Sequence, residues 1–187
     1  MILNQNNEYA ALLDACVLVP MPLCDTLLRL AEHPAFYRPL WSESILQEVG
    51  DAMEAKLGYS AEQRARRLNV MRTEFPEAMV TIPARLDSFN CPDEKDRHVL
   101  AAAVRGQANA IITSNTKHFP TECVEEYGLL CQSPDKFLED QFHLDPPMLI
   151  EKLDQQAAAR NRRRLDLVDR LAVSCPGFAK IVREYSS

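Results

Sequence analysis

Short apolar runs alternate with helix-like segments along most of the chain, and each run ends at a polar residue or a proline. The clearest run is Ala10–Leu13, which stops at Asp14. Similar runs predict strands over residues 78–82, 108–113 and 128–131. Strands separated by helices are typical of a parallel sheet flanked by helices, so the sequence predicts an α/β fold.

The segments between these runs begin with recognisable helix-start signals. Predicted starts lie at Pro22, at Ser42 or Ser44, at Ser60, at Asp93 or Asp96, and at Ser133. Two prolines follow Asp145, and three helical patterns follow them, over 148–162, 165–173 and 176–185. We therefore expect a main domain over residues 1–144 and a helical C-terminal extension over residues 145–187.

Composition and charge exclude several classes of protein. The 187 residues are 47% hydrophobic and 26% charged, which indicates a globular chain with one main domain. A net charge of −6 argues against a protein coated in basic charge, although local basic patches can still bind nucleic acid. The N-terminus does not resemble a signal peptide, and Asp14, Pro20 and Pro22 interrupt the most apolar stretch. We expect a cytoplasmic protein with no membrane span, whose six cysteines are reduced.

Four polar residues from distant parts of the chain are the candidate site: Asp14, Glu48, Asp96 and Asn115. In an open α/β sheet, ligands bind outside the carboxyl ends of the strands, where Asp14 and Asn115 are predicted to lie. Converging carboxylates repel one another unless a cation offsets the repulsion. Oxygen ligands favour a hard ion, so we expect Mg²⁺ or Mn²⁺. Taken singly, each residue has an ordinary structural role, such as turn former or helix cap.

The chain resembles the PIN domain family over roughly residues 9–137. The matching segments are Leu13-Asp14-Ala15-Cys16-Val17-Leu18, Ser44-x-x-x-Glu48-Val49, Asp96-x-His98-x-Leu100-Ala101-Ala102-Ala103 and Thr113-x-Asn115-x-x-x-Phe119-Pro120. The last two are the most specific. The end of the chain, with Pro176-Gly177-Phe178-Ala179, is similar to the extension of one VapC-like branch.

The resemblance implies a PIN-like nuclease domain, with a three-layer fold in which helices flank a central parallel sheet. PIN domains are metal-dependent nucleases, and many are VapC-type toxins that cleave RNA. The expected activity is therefore Mg²⁺- or Mn²⁺-dependent endoribonuclease, with RNA as substrate and a cognate antitoxin as partner. The expected metal ligands are Asp14, Glu48 and Asp96, with Asn115 as a weaker ligand or water orienter. The cation would acidify a water that attacks a backbone phosphorus in line.

One residue departs from the family pattern. Many PIN domains carry Asp where this chain has Asn115, and some relatives with Asn carry Asp three residues later, where this chain has His118. The site therefore has one fewer charge to hold a second metal ion. Asp93 is a spare carboxylate whose expected role is helix capping, and His118 is a candidate substrate contact.

Other interpretations remain open. The Asn115 change favours, as an alternative, a catalytically weakened PIN fold that binds RNA or a protein partner. A phosphatase with Asp14 as nucleophile would need a second Asp where Cys16 stands, and the spacing of the Cys and His residues fits no zinc motif. Two arginine-rich stretches, at 64–72 and 160–164, are solvated faces, RNA contacts or, for the second, an acidic partner's site. The apolar helix near Leu27 could pair two copies in a homodimer or receive the antitoxin.

Overall fold

A five-stranded parallel sheet forms the centre of the protein. The computed structural model describes residues 9–86, 89 and 91–185, and all statements below concern these residues. The strands are β1 (Ala10–Leu13), β2 (Arg38–Ser42), β3 (Met79–Val80), β4 (Ala110–Ile112) and β5 (Leu130–Gln132). Their order is β3-β2-β1-β4-β5, and every pair is parallel. The predicted α/β fold with a parallel sheet flanked by helices is confirmed.

Helices connect the strands and continue to the end of the described chain. They are α1 (Ala15–Leu18), α2 (Met21–Ala31), α3 (Glu43–Leu57), α4 (Ala61–Glu74), α5 (Arg97–Arg105), α6 (Thr121–Glu125), α7 (Pro134–Leu144), α8 (Pro146–Ala158), α9 (Arg164–Leu171) and α10 (Pro176–Tyr185). Ser42 and Ser133 accept a backbone N–H at the starts of α3 and α7, and Ser60 forms a capping box with Gln63. These caps lie where the sequence predicts helix starts.

Strand β2 is absent from the sequence prediction. Its segment begins Arg38-Pro39, and proline normally argues against an inner strand because it cannot donate to the ladder. Arg38 donates its N–H to Tyr9 on the β1 side, so Pro39 points its nitrogen away from β1. On that other side, β3 pairs only with Trp41 and Ser42. Proline therefore costs no ladder hydrogen bond at this position.

The other predicted strands are longer than the observed ones. The run at 78–82 contributes only the two residues of β3, because Pro76–Ala78 form a 3₁₀ turn before it. The runs at 108–113 and 128–131 contain β4 and the start of β5. The middle of the sheet is fully buried, since no residue of β1 or β4 is exposed to solvent. Runs of buried residues on both faces are expected of inner strands in a parallel sheet.

Helix α8 is held against α2 by polar as well as apolar contacts. Lys152 is buried, and its Nζ donates to the carbonyls of Arg29 at 2.8 Å and Glu32 at 2.9 Å, at the C-terminal end of α2. At the other end, the side chain of Gln156 donates to the Pro22 carbonyl at 3.0 Å and accepts from Thr26 Oγ1 at 2.8 Å. Residues on either side of the predicted boundary at 144/145 are thus packed together. The division into two parts stays a prediction.

Helix α10 is capped by a residue of α7. The carboxylate of Asp135 accepts the N–H groups of Gly177 at 3.1 Å and Phe178 at 2.8 Å. A Cβ on Gly177 would lie 2.1 Å from Oε1 of Glu139 and 3.2 Å from Oδ2 of Asp135. The Pro-Gly-Phe-Ala segment therefore has a structural explanation, because a side chain at residue 177 would press against the cap.

Asp135→Ala should lower the melting temperature by roughly 4–8 °C, because it removes two charge-assisted hydrogen bonds worth about 2 kcal/mol together. Asp135→Asn is the matched control, since its amide oxygen can still accept a backbone N–H. Thermal unfolding followed by circular dichroism measures both variants. Equal melting temperatures for Asp135→Ala and the unsubstituted protein would contradict the capping role.

None of the helices in the described ranges combines the length and the apolar character needed to cross a lipid bilayer. All six cysteines are free thiols. Phe36 and Trp41, which lie near Glu48 in the sequence, belong to the buried core.

Candidate functional site

The chain changes direction across the sheet next to β1, and this leaves a crevice at the carboxyl edge. From β1 the chain moves to β2 and β3 on one side, and later returns to β4 and β5 on the other. Connections that leave β1 and β4 at this edge therefore diverge, which is the usual position of a ligand site in an open α/β sheet. Asp14 directly follows β1, and Thr113 directly follows β4.

The carboxylate of Asp14 is held by two side chains. Thr113 Oγ1 donates to Asp14 Oδ2 at 2.6 Å, and Cys16 Sγ donates to the same oxygen at 3.1 Å. Both donors are held in turn, because Asn115 donates its N–H to Thr113 Oγ1 at 3.0 Å and Ser114 donates its N–H to Cys16 Sγ at 3.1 Å. This network fixes the orientation of a carboxyl group that is only 8% exposed.

Cys16 remains a protonated thiol in this environment. Burial raises its pKa to about 11, and the negative charge of Asp14 raises it further. A thiol with this pKa is a hydrogen-bond donor rather than a nucleophile at neutral pH. Its role in the structure is therefore to orient Asp14.

A second carboxylate group lies at the start of α5. Oxygens of Asp93 and Asp96 and a ring nitrogen of His118 all lie within 4.8 Å of one another. The bond between Asp96 Oδ2 and His118 Nδ1 measures 2.7 Å, and Asp93 also accepts the N–H of Lys95 at 3.0 Å. Asp93 therefore has the capping role expected from the sequence and is also part of this group.

The charges of Asp14 and Asp93 both act on Asp96. The pKa of the Asp96 carboxyl is raised, first because burial disfavours its charged form and then because Asp93 and Asp14 are negative. The hydrogen bond and charge of His118 act in the opposite direction. Asp14 and Asp96, which are 82 residues apart, are thus electrostatic neighbours at the same edge of the sheet.

Glu48 reaches α5 through a different histidine. Its Oε1 lies 2.9 Å from Nε2 of His98, which is in the first turn of α5. Glu48 is about half exposed, whereas His98 is nearly buried. A carboxylate has a second oxygen, so Glu48 can keep this bond and still offer Oε2 to a ligand.

Asn115 contributes mainly backbone contacts among the described residues. Its N–H bonds to Thr113, and its carbonyl accepts the N–H of His118 at 2.9 Å across the 3₁₀ turn Thr116–His118. Asn115 therefore shapes the turn that brings His118 to Asp96. The tight group found in the structure contains Asp93 and His118 beside the predicted Asp96, whereas Asp14 and Glu48 lie outside it.

The residues at this edge fit a hard divalent cation. The donors are carboxylate oxygens with one imidazole, which is the set that Mg²⁺ and Mn²⁺ accept. Three carboxylates lie close enough for their charges to affect one another, and a cation would relieve this repulsion. The chemistry of the donors thus agrees with the predicted type of cofactor, and it does not identify the ion.

Comparison with known sequences gives the family. A sequence model described as "PIN domain" matches residues 10–117, which is more than half of the chain. The chain belongs to the PIN domain family. The matched PIN domain contains Asp14, Glu48, Asp96 and Asn115, and it ends before α6.

One curated relative supports the VapC-like resemblance. Over 50 residues the chain is 54% identical to "Putative ribonuclease VapC50" of Mycobacterium tuberculosis (strain ATCC 25618 / H37Rv). The alignment covers 27% of this chain and 30% of that protein, so it spans less than a third of either. No solved structure matches the chain.

Proposed function

We propose that this PIN domain protein is a metal-dependent endoribonuclease that acts as the toxin of a toxin–antitoxin pair. The observation that carries the proposal is the set of mutually interacting carboxylates, Asp14, Asp93 and Asp96, at the carboxyl edge of a PIN sheet. The printed name of the relative, a ribonuclease called VapC50, supports RNA as the substrate class. The proposed setting is the cytoplasm, with an antitoxin as partner.

The metal site is proposed on Asp14, Asp96 and Glu48, with Asn115 as a weaker ligand or water orienter. Asp93 and His118 are added because their ligand atoms lie beside those of Asp96. When bound, Mg²⁺ or Mn²⁺ acidifies a water and neutralises charge on the phosphate undergoing attack.

The protein's own residues position the reacting groups. Thr113 and Cys16 hold the Asp14 carboxylate in one orientation, and His98 does the same for Glu48. His118 holds Asp96 through Nδ1, so its Nε2 is the ring atom left to contact substrate or a proton. Held carboxylates need no reorganisation when charge develops on the phosphate, which favours the transition state over the bound substrate.

Removal of divalent metal should abolish cleavage of a labelled single-stranded RNA. The expected rate with EDTA is the background rate of the RNA alone, and addition of Mn²⁺ in excess over EDTA should restore it, because water activation depends on the ion. Gel analysis of the RNA measures the rate, and an RNA of reversed sequence reports selectivity. Cleavage that is equally fast in EDTA would contradict the metal-dependent mechanism.

The second candidate function is binding of RNA or a protein partner without turnover. The observation that favours it is the neutral Asn115 where many PIN domains carry a carboxylate. Under this alternative, the protein binds labelled RNA, and neither Mg²⁺ nor Mn²⁺ stimulates cleavage at any concentration. The same titration therefore distinguishes the two functions.

A further inference from the structure

The arginine run at residues 160–164 divides into two groups with different environments. Arg163 and Arg164 form ion pairs with Asp166 at 2.8 Å and Asp154 at 2.6 Å. Arg160 and Arg162 form no ion pair with any residue in the described ranges, and both are exposed. The first pair is therefore neutralised within the protein, while the second pair keeps its charge available.

A tight turn brings the two unpaired arginines to the same place. After α8, both Arg160 and Arg162 donate their N–H groups to the carbonyl of Ala157, at 3.0 Å and 2.9 Å. Between them, Asn161 has a φ of 51°, a left-handed conformation that asparagine tolerates better than most residues. The chain therefore reverses over these residues, and both arginines line one cleft.

The cleft lies between the main part of the protein and the last helices, and its volume is about 360 Å³. Its lining includes Met21, Asp25, Tyr59, Arg160, Arg162 and Arg170. Arg170 comes from α9 and, like the other two arginines, has no ion pair among the described residues. Asp25 is the acidic residue of the lining, and its Oδ1 already accepts from Arg29 Nε at 3.0 Å.

Three guanidinium groups around one cleft repel one another, and the only carboxylate that lines it is bonded elsewhere. This arrangement is costly without an anion to neutralise it, all the more notable in a protein whose net charge is −6. Arginine is also the side chain best suited to bind phosphate, because its planar fork donates two parallel hydrogen bonds. The chemistry of the cleft therefore selects an anionic ligand.

The cleft is close to the candidate nuclease site. Met21, in its lining, follows Asp14 by seven residues, so their Cα atoms are at most about 25 Å apart. Helix α1 occupies part of that stretch and shortens the distance further. A polyanion bound at the site could therefore reach the cleft.

We propose that this cleft binds a segment of single-stranded RNA beside the cleavage site, with phosphates on Arg160, Arg162 and Arg170 and a base on the ring of Tyr59. The inference rests on the proposed ribonuclease function and adds a second contact region for the same substrate. Single-strand binding sites combine a basic groove with aromatic rings on which bases stack. An acidic protein segment would satisfy the arginines and would offer no planar group to the half-buried ring of Tyr59.

The main test compares two triple variants of the full-length protein that each also carry Asp14→Asn, so that bound RNA is not cut. R160Q/R162Q/R170Q should bind labelled single-stranded RNA at least about tenfold more weakly. Its log Kd against log salt slope should also fall by about 2, since each lost phosphate contact on a single strand contributes about 0.7. The control R38Q/R105Q/K180Q removes the same charge from residues outside the cleft and should retain both affinity and slope.

A second pair of variants tests the ring. Tyr59→Leu should weaken RNA binding by about five- to a hundredfold, the range expected when one stacked base is lost. Tyr59→Phe keeps the ring and should bind like the parent. Because Tyr59 packs partly against the core, binding is measured at a temperature where circular dichroism shows both variants folded.

The outcomes separate this inference from the proposed function. If the protein with Asp14 intact cuts RNA and the arginine triple has unchanged KM and salt slope, the cleft proposal is overturned and the nuclease function stands. If RNA is bound through the arginines and never cut, the cleft proposal is supported and the nuclease function fails. If poly-glutamate binds as tightly as RNA and only the arginine triple loses it, the cleft is a site for an acidic protein segment, which overturns the RNA proposal.

Discussion

Asp14→Asn is expected to lower the rate of metal-dependent RNA cleavage by about a thousandfold or more. The ion's stabilisation of transition-state charge is worth several kcal/mol, and about 4 kcal/mol corresponds to a thousandfold change in rate. Asparagine has the same shape, and its amide oxygen can still accept from Thr113 Oγ1. Initial rates on labelled RNA, at saturating Mn²⁺, measure the effect.

The same substitution should leave the fold intact and should raise the stability of the metal-free protein slightly. Asp14 raises the pKa of Asp96, which shows that the two negative charges disfavour each other, and Asn removes that repulsion. Asp51→Asn, on the exposed face of α3, is the matched control and should leave cleavage unchanged. Cleavage by Asp14→Asn at the parent rate would refute the assignment of the site.

Lys152→Met should lower the free energy of unfolding by about 3 kcal/mol, and the melting temperature by roughly 6–12 °C. The variant keeps the aliphatic stem but leaves two carbonyls at the end of α2 without their donor. A positive charge at a helix C-terminus also stabilises the helix dipole. Burial lowers the pKa of Lys152, so part of the gain from removing this charge offsets the loss.

Denaturant unfolding and thermal unfolding measure the Lys152 variant, with Lys56→Met on the exposed surface of α3 as control. The control should change the melting temperature by no more than about 2 °C. RNA cleavage by Lys152→Met, assayed well below its melting temperature, should match the parent because the substitution touches none of the site residues. A melting temperature equal to that of the control would rule out the proposed anchoring of α8.

The position of the candidate site follows from the sequence more readily than its internal contacts. Asp14 ends a run of four buried residues, and such a run indicates both a strand and the edge at which it stops. Capping serines such as Ser60 act locally, so their helices could also be placed. The four predicted site residues remain predictions until variants are measured.

The remaining features depend on contacts between residues far apart in the chain. His118 bonds to Asp96 across 22 positions, and His98 to Glu48 across 50, and no local pattern reveals either pair. The one available signal for His118 is its place three residues after Asn115, where some relatives carry an acid. Strand β2 escaped prediction because Pro39 is acceptable only where β3 falls short, which is a property of the assembled sheet.

The contact between Lys152 and α2 also has a consequence for the order in which the chain becomes structured during synthesis. Its two carbonyl partners, Arg29 and Glu32, precede it by 123 and 120 residues. At 5–20 residues per second, the ribosome needs about 6–25 s to make the residues between Arg29 and Lys152. During that interval the end of α2 lacks its donor, so a nascent chain cannot complete its N-terminal half until the last helices have emerged.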